Sequence, residues 1–106
     1  MICSYLVPTS DGTSRRNYGT LVRVFIPGLG TTQVVYQFGT PTQRCAVVHY
    51  QSGRIIAPIE DRHIGPPQER AAAACREYFE NLDPERISRV ISEAPVINPL
   101  PRAHHV

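Results

Sequence analysis

Glu60, Asp61, Arg62 and His63 stand side by side within the stretch PIEDRHIGPP. A carboxylate beside an imidazole is the smallest general acid–base pair, and an arginine next to it offers a fork for an anionic substrate. The competing reading is mundane. A connector leaving a sheet needs polar residues, and neighbouring charges satisfy one another. Four successive side chains also point in different directions unless the turn is special. Asp61 and His63 are therefore carried as candidates for the mouth of a small-ligand or substrate pocket, and no residue is assigned as catalytic. A zinc site needs three or four ligands. Asp61 and His63 supply two, the others would have to come from Cys45, His49 or His104–His105, and no spacing demands it. No metal and no cofactor are expected.

Cys45 and His49 invite a nucleophile–base reading. In a strand they share a face but stand about 13 Å apart, beyond hydrogen-bond reach, so the local dyad is rejected. Gly28 and Gly30 in PGLG bring a phosphate loop to mind, but the Walker pattern needs a lysine, and all eleven basic residues here are arginine. The dinucleotide fingerprint needs glycines that open a helix; here they precede a strand-like run. Gly-x-Ser-x-Gly and His-Glu-x-x-His are both absent from the sequence.

Charge is unevenly divided. Residues 1–59 hold Arg15, Arg16, Arg23, Arg44 and Arg54 against Asp11 alone, whereas residues 60–106 hold six arginines against eight acids. The segment TSRRNYGT adds an aromatic to two guanidinium forks. Arg15, Arg16, Tyr18, Arg23, Arg44 and Arg54 are thus the candidate contacts to nucleic acid or another polyanion. A formal net charge of +2 is low for such a module, so nucleic-acid binding is the alternative and not the first reading.

The elements that must position these residues follow from period and punctuation. Ile2–Val7 reads as a strand stopped by Pro8, and residues 9–19 read as a polar loop. Thr20–Ile26 and Gln33–Phe38 are rich in β-branched and aromatic residues and flank a hairpin connection. Arg44–Tyr50 and Arg54–Ile59 flank the tight reversal QSG. The period then changes. Ala71, Ala74, Cys75, Tyr78, Phe79 and Leu82 mark one face of a helix over 67–82. Asp83 caps a second helix with Pro84 at its first position, Ile87, Val90, Ile91 and Ala94 on its apolar stripe, and Pro95 as its stop. Strands followed by helices predict an α+β fold: an antiparallel sheet of four to five strands, flat or curled into a half-barrel, then two C-terminal helices. Residues 1–94 form one domain and 95–106 an extended, partly disordered tail.

Alternation within the strands exposes a surplus. Val22, Val24 and Ile26 oppose Leu21, Arg23 and Phe25; Ala46, Val48 and Tyr50 oppose Cys45, Val47 and His49; Ile55, Ala57 and Ile59 oppose Arg54 and Ile56. Only Gln33–Phe38 has a polar side. Two short helices cover one face of such a sheet, so the other must be covered by curling, by splitting the helices, or by a second subunit. The second subunit is the favoured expectation. The odd cysteine count without a CxxC spacing fits a reducing compartment, and no apolar run approaches a membrane span. The expected protein is a cytoplasmic homodimeric binding domain of no catalytic class. A nucleic-acid-associated regulator and a small enzyme or ligand-binding protein are the alternatives.

Overall fold

A computed structural model of the chain describes residues 2–41 and 44–99. Five strands, β1 (Ile2–Pro8), β2 (Ser14–Ile26), β3 (Gly30–Gln37), β4 (Ala46–His49) and β5 (Ile55–Pro58), precede two helices, α1 (Pro67–Phe79) and α2 (Pro84–Glu93). The strands pair antiparallel in sequence order to make one five-stranded sheet, and the fold is α+β as expected. The sheet is curled but not closed into a barrel.

The polar loop expected over residues 9–19 is shorter than that. Only Thr9–Thr13 form the turn, and Ser14–Gly19 extend β2 to thirteen residues. The segment has the polarity of a loop because one side of it is wet: Arg16 and Tyr18 are exposed, while Asn17 and Gly19 between and beyond them are buried. Gly19 reads as a turn residue in isolation. Here it serves the ladder, since a Cβ at this position would sit 2.4 Å from the carbonyl oxygen of Tyr36 on β3.

α1 packs across β2, β3, β4 and β5. The main core lies between, with Val22, Val24, Ile26, Val34, Tyr36 and Val47 from the sheet meeting Ala71, Ala74, Cys75 and Phe79 from α1 and Ile87 from α2. The simple alternation expected in β5 fails at one residue. Val47 pairs with Ala57 and Val48 with Ile55, which leaves Ile56 as an extra residue in the ladder. A bulge of this kind resets the side-chain phase. Ile56 therefore joins Ala57 and Ile59 in the core, and Ile55 is turned out to solvent.

The opposite face of the sheet holds a second, smaller cluster of Tyr5, Val35 and Val48, backed by Cys3, Val7, Leu21 and Tyr50. The helices do not reach it, in line with the surplus read from the sequence. At this end the curl supplies cover: β1 folds back until Leu6 and Val7 meet Gly53 in the β4–β5 turn. The remaining gap between β1 and that turn is bridged by the segment after α2. Asn98 accepts a hydrogen bond from the Leu6 N–H at 2.8 Å, and its amide nitrogen donates to the carbonyls of Leu6 and Tyr50 at 2.8 and 2.9 Å. The N–H groups of Ile97 and Asn98 both donate to the Gln51 carbonyl. Further along this face, Arg23 and Phe25 are exposed. Residues 100–106, the greater part of the expected tail, lie outside the described residues.

Candidate functional site

The connector after β5 is pinned to α1 residue by residue. The backbone N–H of Glu60 donates to His63 Nδ1 at 3.0 Å, so that nitrogen is the unprotonated one and Nε2 carries the hydrogen. Nε2 in turn meets Glu77 Oε2 at 3.0 Å. Arg62 bridges Glu60 and Glu77. Hydrogen bonds from Arg62 and His63 hold the Glu77 carboxyl below the usual glutamate range. Two turns earlier on the helix, Arg70 donates through Nε to the carbonyl of His63 at 2.7 Å, reaches the Tyr36 hydroxyl, and lies 5.3 Å from the centre of the Tyr36 ring. His63 is buried and both its ring nitrogens are engaged, which leaves no lone pair for a metal or a substrate proton in this arrangement. Asp61 is exposed beside it. Glu77 was missed in the sequence, although a signal was present: Arg70 and Glu77 are seven residues apart and so share the helix face that meets the connector.

The polyanion candidates are spread over the surface. Arg15 and Arg23 share one face of β2 but stand eight residues apart, about 26 Å along the strand. Arg16 and Tyr18 lie on the opposite face, where Arg16 donates to Ser4 Oγ at 2.8 Å. Arg44 is exposed just before β4, and its carbonyl accepts from Gln37. That bond ends a buried polar chain in which the Tyr5 hydroxyl and the Asn17 amide both donate to Gln37 Oε1, at 2.5 and 3.2 Å. Burial raises the Tyr5 phenol well above its ordinary value.

Of the six, Arg54 lines the large groove beside α2. This groove of about 850 Å³ runs between the β4–β5 turn, the end of α1 and α2. Its volume is that of a small-molecule or side-chain binding site. Exposed apolar side chains crowd its rim: Ile55 (60% exposed), Val90 (60%), Tyr78 (51%) and Leu82 (45%). Its polar contributors include His49, Ser52, Arg54 and Arg86. His49 Nδ1 and Ser52 Oγ are 2.8 Å apart, and burial pushes the His49 imidazole below its ordinary pKa. The pair belongs to the turn itself: Ser52 Oγ also accepts from the Arg54 N–H, and Gly53 N donates to the His49 carbonyl. A second groove, lined by Phe25, Ala72, Arg76 and Leu82 among others, lies on the far side of the α1–α2 corner. Neither Asp61 nor His63 lines either groove.

Among the described residues no three His, Cys, Asp or Glu side chains gather to hold a metal ion, and no helix is long and apolar enough to cross a membrane. No family model matches the chain, and neither the curated proteins nor the solved structures contain a significant match to it.

Proposed function

We propose that this chain is an interaction domain that works as a homodimer. The observation that carries the reading is the apolar rim of the large groove. α2 is strongly amphipathic, yet Ile87 is its one buried residue, and Val90 stands exposed with Ile55, Tyr78 and Leu82 around it. Contiguous apolar surface of this kind marks interfaces more often than free surface. Two-fold dimers are the commonest way for a small domain to cover it. The free thiols at Cys3, Cys45 and Cys75 support a reducing setting such as the cytoplasm.

Light scattering across a hundredfold concentration range tests the reading. A mass near twice 11.8 kDa is expected at the upper end. A monomer at every concentration would remove the homodimer.

Arg16 and Tyr18 support a second reading. They project from the same face of β2, on the stretch paired with β1. A guanidinium and an aromatic ring two residues apart on a strand suit a phosphate and a base of single-stranded nucleic acid. Arg16→Ala and Tyr18→Ala would then weaken a salt-sensitive association with mixed-sequence RNA or DNA. The absence of any complex at low salt would exclude it.

A further inference from the structure

α2 carries a stripe with opposite charges at its two ends, so that it is complementary to its own reverse. Arg86, Val90 and Glu93 occupy positions i, i+4 and i+7, so they form one stripe on the helix. All three are exposed, and neither Arg86 nor Glu93 has a side-chain partner among the described residues. The stripe lies about a third of a turn from Ile87 and Ile91, the residues that seat α2 on the core. The core therefore makes no use of it.

We infer that this stripe is where two copies of the chain meet, with α2 packed antiparallel against α2 of a second copy, Val90 next to the two-fold axis and Arg86 of each copy paired with Glu93 of the other. The inference rests on the homodimer reading and gives it a location.

Charge decides the direction. A parallel pairing would set Arg86, Arg89 and Glu93 each against its own copy, three repulsions. An antiparallel pairing centred between residues 89 and 90 sets Arg86 and Glu93 together twice against a single Arg89–Arg89 repulsion beside the axis, and brings the two valines within about one residue of it. Helices pack with axes 8–10 Å apart, a span that arginine and glutamate side chains cross from flanking positions. An isologous contact of this sort uses the same patch on both copies and closes on itself. It also places the apolar rim at Leu82 and Tyr78 beside the shared helix pair, where a second copy shields it.

Three variants test this in sedimentation equilibrium, each checked for native circular dichroism: Arg86→Glu, Glu93→Arg and the double swap. All changes are on exposed positions, so folding should be untouched. Each single swap should weaken dimerisation at least tenfold, because it puts like charges together twice. The double swap should return the dissociation constant to within about threefold of wild type. A wild-type dimer that ignores both single swaps overturns the α2 contact and leaves the homodimer standing. A double swap no better than the singles overturns the Arg86–Glu93 pairing. A wild-type monomer removes the dimer and this contact together.

Discussion

The side chain of Asn98 forms a two-point hydrogen-bonded ring with the backbone of Leu6, 92 positions away, taking its N–H and returning to its C=O. An antiparallel strand would offer Leu6 the same acceptor and donor. A third bond to the Tyr50 carbonyl ties β1 to the far end of the sheet. A single carboxamide thus does the work of the ladder that would have closed a barrel.

Asn98→Ala should be costly. It leaves the Leu6 and Tyr50 groups without partners at a partly buried seam, and each such loss is worth about 1–3 kcal/mol. A total of roughly 2–4 kcal/mol is expected once water re-enters the gap, read as a lower urea midpoint with little change in slope. A loss under about 0.5 kcal/mol would mean that the curl holds itself. Asn98→Asp keeps the acceptor but not the donor and should fall in the same range.

Gly53 offers an independent probe of the same seam. Its φ is +69°, and a Cβ there would lie 2.2 Å from the Leu6 carbonyl oxygen. Gly53→Ala should cost at least about 2 kcal/mol, from left-handed backbone strain plus displacement of β1. Gly12→Ala is the control. Its φ is +87° with nothing within 4 Å, so only the conformational cost of about 1 kcal/mol applies. Equal effects of the two substitutions would show that β1 does not press on the turn.

His49 should make stability fall in mild acid. Burial places its folded-state pKa below the ordinary 6.5. The unfolded chain then takes up a proton near pH 6.5 that the folded chain resists. Stability from this group is full above that pH and is lost as the pH drops towards the folded value. Urea midpoints at pH 7.5 and 5.5 should differ in wild type and differ less in His49→Gln. An unchanged difference would assign the effect elsewhere. The Glu77 carboxyl, held low by Arg62 and His63, contributes in a separate window below about pH 4.5, the ordinary glutamate range.

Element order was legible from period alone, and so was the start of α2. Asp83 caps it by accepting from the Glu85 N–H at 3.0 Å, and Pro84 fills the first helical position. The oily surplus on the second sheet face was also legible, because alternation is a local property. What covers that face was not. Asn98 reaches Leu6 across nearly the whole chain, and nothing in VINPL announces it. Ser14–Gly19 looked like a loop because arginine, asparagine and glycine are poor strand formers, and their pairing is set by β1 rather than by their own preference. The bulge at Ile56 is a phase slip that no binary pattern predicts. At the candidate sites, Glu60, Asp61, Arg62 and His63 are visible as neighbours in the sequence, yet the Glu77 that His63 meets sits 14 residues on. The groove at Arg54 is built by tertiary contact between a turn and a helix, and no spacing in the sequence encodes it.

Gln68 treats β2 as Asn98 treats β1: its side-chain amide accepts from the Arg23 N–H and donates to the Arg23 C=O, where β2 has run past the end of β1. Pro8 and Pro58 further interrupt the outer strands, and proline cannot donate to a neighbour. An open sheet rim is a template for fibril growth, since any passing extended segment can add to it. Here two borrowed amides and two prolines blunt that rim. A copy of this molecule adding strand on strand along the β1 side would first have to evict Asn98 or Gln68, so growth from that side is obstructed by side chains the fold itself supplies.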